Sequence, residues 1–128
     1  MRLLLDTHVL LWWVFADSRL SRRARLAIDD DVDNQVFVSA ASAWEITTKY
    51  RIGKLPDAQA VAEDVAGTLA AEGFSELAVS VRHAQRAGTL AGQHRDPVDR
   101  MLMAQSMLDD LTLVSNERMF DAYGVPRL

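Results

Sequence analysis

Acidic residues occur at four points where an apolar segment of the sequence gives way to a helical pattern. They are Asp6, Glu45, Asp99 and Glu117, and Asp96 lies close to the third. In a parallel α/β fold such turns share one edge of the sheet, so these carboxylates can meet although they span most of the chain. Closely gathered carboxylates repel one another unless a cation or protons compensate the charge. The pattern therefore predicts a divalent-metal enzyme.

Two of these acids lie in strongly apolar surroundings. Asp6 follows three leucines and precedes an aromatic-rich segment, so we expect its carboxylate to be partly buried, where an unpaired charge is costly. Asp99 has Leu102 and Met103 at positions i+3 and i+4, which place it on a helix face that continues into the core. Acids on apolar faces at one sheet edge favour a metal site over coincident helix capping.

Each acid also has a purely structural explanation. The segment SAWE at 42–45 matches a capping box, in which Glu45 would bond back to the start of its helix. Asp96 precedes a proline and would cap the next helix, while Asp99 would favour the positive end of that helix dipole. Glu117 lies in a first helical turn as well. Capping is the better explanation for any one acid, so the metal site depends on all of them occurring together.

Oxygen ligands limit the kind of metal and the kind of reaction. The chain has no cysteine, which excludes Cys-ligated zinc, iron–sulfur clusters and thiol catalysis. Carboxylates suit Mg²⁺ or Mn²⁺, which usually complete their coordination with water and substrate phosphate. Such an ion activates an attacking water and stabilises charge on a phosphodiester, so the donor set indicates phosphoryl chemistry.

Length and charge set further limits. The 128 residues fit one domain over 1–128, and the net charge of −4 argues against a broad basic surface that wraps nucleic acid. An RNA enzyme of this composition needs local positive charge at its site. We predict that His94, Arg95 and Arg100, which flank the proposed ligands, contact substrate phosphate. The cluster around Arg19 and Arg22 is interpreted as a solvated helix face.

The apolar start of the chain does not indicate a membrane anchor. Asp6, Thr7 and His8 divide it into runs far shorter than the ~20 residues that a spanning helix needs. We therefore expect a cytoplasmic protein without a membrane segment.

Apolar runs and helical patterns alternate along the chain. Strands are predicted at Arg2–Leu5, Gln35–Ser39, Phe74–Val79 and Leu111–Val114, with a last edge strand at Gly124–Pro126. Helices are predicted at His8–Phe15, after a Ser21 cap, at Ser42–Arg51, from Asp57 to a closing Gly73, at Ser80–Leu90, at Val98–Leu108 and at Glu117–Tyr123. This alternation predicts a three-layer α/β/α sandwich with a mostly parallel central sheet of four to five strands.

Four segments of the chain resemble, in order and spacing, PIN-domain ribonucleases of the VapC toxin type. They are LLLDTHVLLW, SAASAWEITTKYRIGKL, HRDPVDRMLMAQS and LTLVSNERMFDAYGV, and together they cover essentially the whole chain. The resemblance implies a PIN-like fold and an endoribonuclease with a Mg²⁺ or Mn²⁺ site at the carboxyl edge of the sheet. It also implies the toxin component of a toxin-antitoxin pair, a cognate antitoxin protein as partner, and a homodimer.

The resemblance also implies roles for individual residues. Asp6 matches the first metal ligand, Glu45 the second acid and Asp99 the third, with Asp96 as an accessory acid. Two hydroxyl positions that order the site through hydrogen bonds are matched by Thr7 and Ser115.

One position departs from the family pattern. The family usually has Asp, preceded by Asn, where this chain has Asn116 and Glu117, and Glu carries its carboxylate one methylene farther out. The departure leaves two functions open, which are a metal-dependent ribonuclease and a catalytically weak or inactive module that binds RNA or sequesters antitoxin.

Overall fold

A four-stranded parallel sheet forms the centre of the computed structural model, which describes all residues from 1 to 128. The strands are β1 (Arg2–Leu5), β2 (Gln35–Ser39), β3 (Ser75–Leu77) and β4 (Thr112–Val114). Their order across the sheet is β3-β2-β1-β4, and every pairing is parallel. Since β1 is a central strand, the residue that follows it lies between the ends of β2 and β4.

Helices connect the strands and cover both faces of the sheet. They are α1 (Thr7–Val14), α2 (Arg22–Asp29), α3 (Ala40–Arg51), α4 (Gln59–Ala62), α5 (Val65–Glu72), α6 (Val81–Thr89) and α7 (Pro97–Asp109). Two 3₁₀ segments, Pro56–Ala58 and Arg118–Tyr123, complete the ordered elements. Every helix falls short of the length and apolarity needed to cross a membrane.

The core consists of two apolar clusters separated by the sheet. Successive side chains of a strand point to opposite faces, so Leu3 and Leu5 join one cluster while Leu4 joins the other. The first cluster takes its helical residues from α1 to α5, and the second takes them mainly from α7. This arrangement confirms the predicted α/β/α sandwich with a parallel sheet.

Most predicted elements are present, with two corrections. The last edge strand predicted at 124–126 is wrong in its position. No strand forms there, and it is residues 126–128 that run along β4, through three backbone hydrogen bonds and one isolated parallel bridge between Leu113 and Arg127. The long helix predicted from Asp57 is interrupted. Asp64 accepts a hydrogen bond from the N–H of Gly67 at 2.9 Å and caps a new helix, α5. That helix closes as predicted at Gly73, which has a φ of 73° in the left-handed region.

The position of Leu4 in the central strand β1 predicts that truncating its side chain strongly lowers the free energy of unfolding. Leu4 is fully buried, so Leu4→Ala should lower the free energy of unfolding by roughly 2 to 5 kcal/mol through lost transfer energy and a residual cavity. The matched control is Leu26→Ala, since Leu26 is 58% exposed on α2, and we expect a change within about 0.5 kcal/mol. Urea denaturation of the three proteins measures both values. Equal losses for the two variants would contradict the assignment of Leu4 to the core.

Candidate active site

Asp6 follows β1 directly and is fixed by the neighbouring strand. Its backbone N–H donates to the carbonyl of Val114 at 3.0 Å, and its carboxylate accepts a hydrogen bond from Ser115 Oγ at 2.7 Å. Only 4% of Asp6 is exposed. Parallel pairing of β1 with β4 therefore joins residues that are 109 positions apart in the sequence.

The charge of the Asp6 carboxylate is poorly compensated by its surroundings. Burial raises the pKa of Asp6, the hydrogen bond from Ser115 opposes that shift, and the negative charge of Glu117 adds to it. A buried carboxylate with a raised pKa is a group that gains from a nearby cation.

Glu45 lies in the second turn of α3 and has no capping role. The helix begins at Ala40, and Ser39 caps it by accepting from the N–H of Ala41 at 3.0 Å. The predicted capping box at 42–45 is thus wrong, because the end of β2 already supplies the cap. Glu45 is buried and pairs with Lys49. The Nζ atom of Lys49 lies 3.0 Å from Oε2 of Glu45.

Lys49 brings positive charge to the acidic cluster. Its partial burial opposes the charged form, but the hydrogen bond and charge of Glu45, together with the charges of Asp96 and Asp99, outweigh that effect and raise the pKa of Lys49. The sequence argument missed this residue, although its i+4 spacing from Glu45 is the spacing of a helical ion pair.

Asp99 lies in the first turn of α7, beside a histidine. The Nε2 atom of His94 is 2.8 Å from Asp99 Oδ2. Burial is the main cause that raises the pKa of Asp99 to about 6; the His94 hydrogen bond lowers it, and the charges of Asp96, Asp6 and Glu117 raise it further. Asp6, Asp96 and Glu117 are thus close enough to Asp99 for their charges to act on it.

Asp96 caps α7, as its position before a proline predicts. Its Oδ1 accepts from the N–H groups of Val98 at 2.9 Å and Asp99 at 3.1 Å, and Pro97 occupies the first helical position. One carboxylate oxygen of Asp96 is thus engaged by the helix.

Hydroxyl groups connect the elements that carry the acids. Thr7 Oγ1 donates to Ser42 Oγ at 2.9 Å, a buried contact between α1 and α3. Ser115 Oγ, besides donating to Asp6, accepts from the N–H of Glu117 at 3.1 Å. Asn116 and Glu117 are exposed at the rim of the site.

The three residues predicted to contact phosphate differ in their surroundings. Arg95 is exposed, whereas His94 is engaged with Asp99. The guanidinium of Arg100 donates to the carbonyls of Ala87 at 2.9 Å, His94 at 3.0 Å and Leu90. These bonds hold the segment between α6 and α7 together, which favours a structural role for Arg100 over a contact with substrate.

The donor set suits a hard divalent cation, although the side chains do not converge on one point. No three acidic or histidine side chains lie close enough to bind a single ion together. The reason is local: Glu45 is paired with Lys49, and Asp99 with His94. The buried carboxylates of Asp6 and Glu45 and the half-buried carboxylate of Asp99 are the groups that could hold an ion, and its binding would replace these two pairs.

The chain belongs to the PIN-domain family, whose model matches residues 3–126. This match confirms the family resemblance of the sequence motifs. It covers β1 and β4, and with them every acid described above.

Comparison with individual proteins agrees with this assignment. A 57-residue segment is 46% identical to Ribonuclease VapC16 of Mycobacterium tuberculosis, and it covers 44% of this chain but only 40% of that relative. VapBC2 from Rickettsia felis, solved with a promoter DNA fragment, matches 100% of this chain and 98% of its own, with a TM-score of 0.72 and 15% identity. A toxin-antitoxin complex from Klebsiella pneumoniae matches 98% and 94%, with a TM-score of 0.62 and 20% identity. At these identities the solved structures show a common fold.

The pKa of Asp99 predicts a pH-dependent loss of stability. Because its folded-state value, about 6, lies above the usual 3.8, the folded protein binds this proton more tightly than the unfolded chain does. The stabilisation is complete below about pH 4 and is lost as the pH rises through about 6. We expect the wild type to lose on the order of 1 kcal/mol relative to Asp99→Asn over this interval, after allowance for solvent screening.

Urea denaturation of both proteins in EDTA, between pH 4 and pH 7, measures this difference. The comparison removes contributions from groups that the two proteins share. Parallel stability curves would contradict the proposed state of Asp99.

Proposed function

We propose that this protein is a metal-dependent endoribonuclease that hydrolyses RNA phosphodiester bonds. One observation carries the proposal: buried Asp6 and half-buried Asp99, both with raised pKa values, lie with Glu45 at the carboxyl edge of a parallel sheet. Membership of the PIN-domain family supports it, as does a partial relative that is named a ribonuclease.

In this proposal Asp6, Glu45 and Asp99 hold Mg²⁺, for which Mn²⁺ can substitute, and Asp96 assists. The ion supplies an activated water and stabilises charge on the phosphodiester. Ser115 orients the carboxylate of Asp6 through its hydrogen bond, and the Thr7–Ser42 contact fixes α3 against α1.

Two cationic or hydrogen-bonding side chains assist the acids. Lys49 and His94 are each paired with one of the carboxylates. When an ion takes over those carboxylates, these side chains can instead donate to the substrate phosphate, where Arg95 supplies further positive charge. In the proposed site, these side chains thus compensate the negative charges of both the acids and the substrate phosphate.

The proposed biological role is that of a toxin in a toxin-antitoxin pair. Its partners would be an RNA substrate, a cognate antitoxin protein and a second copy of the chain, and its location would be the cytoplasm. The similarity to a solved toxin-antitoxin complex supports an antitoxin partner. The homodimer and the extent of a single domain over 1–128 stay predictions.

A second candidate is a catalytically weak module of the same fold that binds RNA or sequesters antitoxin. Glu117 is exposed in place of the usual Asp, and no three acids converge on one point. Titration with Mn²⁺ discriminates the two functions, because a decayed site would bind the ion no better in the wild type than in an Asp6→Asn, Asp99→Asn variant.

The nuclease proposal predicts cleavage that needs both metal and the buried acids. Purified protein should cut end-labelled cellular RNA into discrete fragments with Mg²⁺ or Mn²⁺, and EDTA should stop the reaction. Asp99→Asn should reduce the cleavage rate at least about 100-fold, because it removes a charge that holds the ion.

The matched control for this prediction is Asp33→Asn. Asp33 is exposed and precedes β2, at the opposite edge of the sheet, so the same exchange there should leave cleavage unchanged. It also guards against contaminating ribonuclease, since both variants are purified identically. If Asp99→Asn, while folded, cleaves as fast as the control, the acidic cluster is not the active site.

Glu117 should contribute less than the buried acids do. It is exposed, and the charge that it adds to the site acts at a distance on Asp6 and Asp99. We expect Glu117→Gln to lower the cleavage rate by no more than about tenfold, and Glu117→Asp to retain or increase it. Steady-state cleavage of one RNA substrate by both variants provides the measurement. A Glu117→Gln protein as inactive as Asp99→Asn would make Glu117 a direct ligand.

A further inference from the structure

A cavity with arginines on its rim lies next to the acidic site. It has a volume of about 280 Å³ and lies between α1, the start of α2 and the residues after β4. Its floor is apolar and includes Val9, Leu20 and Val114. The polar side chains that line it are those of Arg19, Ser21, Ser115, Asn116, Arg118 and Arg127.

Two of the three arginines are held in fixed orientations. Arg19 donates to both carboxylate oxygens of Asp17, and its guanidinium lies 5.4 Å from the ring centre of Trp12. Arg127 donates to both carboxylate oxygens of Asp121, at 2.8 Å and 2.9 Å. Such pairs neutralise part of the charge, but they also keep the guanidinium groups in place at the cavity.

Arg118 differs because it forms no salt bridge. It is exposed at the start of the 3₁₀ segment, and the five ion pairs of the protein do not include it. The rim thus carries one guanidinium free of a carboxylate, next to two that are oriented. In a chain with a net charge of −4, such a concentration of arginine favours an anionic ligand.

The cavity is connected to the acidic site through one residue. Ser115 lines the cavity and donates to Asp6, and its carbonyl accepts a hydrogen bond from Arg127 Nη1 at 2.9 Å. A ligand in the cavity would therefore lie against Ser115, which is hydrogen-bonded to the carboxylate to which the metal is assigned. If an RNA strand is cut at Asp6, the phosphate next to the cleaved one lies near this cavity.

We propose that this cavity is a phosphate subsite, which binds the RNA backbone phosphate next to the one that is cleaved. Arg118 makes the principal contact, Arg19 and Arg127 supply oriented positive charge, and Asn116 offers an additional donor. The planar guanidinium group matches phosphate oxygens in pairs, which suits this ligand. The inference rests on the proposed ribonuclease function and adds a substrate contact to it.

An acidic segment of a protein partner could also meet these arginines. RNA is favoured because the cavity is lined by Ser115, the hydrogen-bond partner of Asp6, where the proposed reaction places a phosphodiester. The subsite also replaces part of the electrostatic role that was expected of Arg100, whose guanidinium is occupied by backbone carbonyls.

The test is binding of a fluorescein-labelled single-stranded RNA in EDTA, where cleavage is blocked, at several salt concentrations. Arg118→Gln should weaken binding about tenfold, as expected for a charge-assisted hydrogen bond. It should also reduce the slope of log K against log salt by about 0.7, the value for one phosphate contact on a single strand. Arg118 has no carboxylate partner, so thermal unfolding should match the wild type.

The control is Arg82→Gln, on the exposed surface of α6. It removes the same charge outside the cavity and should change binding less than twofold, since a single remote charge is screened. Equal weakening by both variants would show a general charge effect and overturn the subsite. So would an Arg118→Gln protein that keeps its RNA affinity, whether or not it loses affinity for a protein partner.

Cleavage assays separate failure of the subsite from failure of the proposed function. If wild type cleaves RNA in an Asp99-dependent manner while Arg118→Gln binds it normally, the nuclease stands and the subsite is wrong. If wild type neither binds nor cleaves RNA, both proposals are wrong.

Discussion

Burial of like charges at the carboxyl edge of the sheet is the constraint on which the site depends. The backbone of Asp6 is fixed by its bond to Val114, and its carboxylate cannot turn away without breaking the bond from the hydroxyl of Ser115. Removal of a carboxylate from water is costly unless its charge is compensated. A positive charge near Asp6 is therefore stabilising, and the negative charges of the other acids strengthen this effect.

Two side chains of the protein compensate part of this negative charge. Lys49 pairs with Glu45 and His94 with Asp99, so two of the acids already have partners. Asp6 has no salt bridge and depends on the hydroxyl of Ser115, the charge of His8 and the backbone N–H of Thr7. Under the proposed function, a divalent ion would compete with these two pairs, which would weaken its net binding. The two displaced side chains would then be available to the substrate phosphate.

Sequence reasoning succeeded where one short segment determines the structure. The apolar runs defined β1, β2 and β4, and the helix start at Asp96 followed from local capping chemistry. Sequence reasoning failed where the local structure depends on contacts with distant parts of the chain. SAWE at 42–45 has the composition of a capping box, but the backbone leaving β2 places the cap at Ser39. Arg100 likewise looked free to bind phosphate, because only the folded loop supplies the carbonyls that occupy it.

An acidic net charge does not exclude the RNA contact that we propose. The net charge of −4 repels RNA at long range, but salt limits that repulsion to about 8–10 Å. Within this distance the local arrangement decides, and the arginine-rimmed cavity adjoins the carboxylates through Ser115. Asp17 and Asp121 orient two arginines at the cost of part of their charge, which leaves Arg118 as the arginine of the rim without a salt bridge. If the cavity binds RNA as proposed, its affinity comes from a few oriented contacts and not from overall charge.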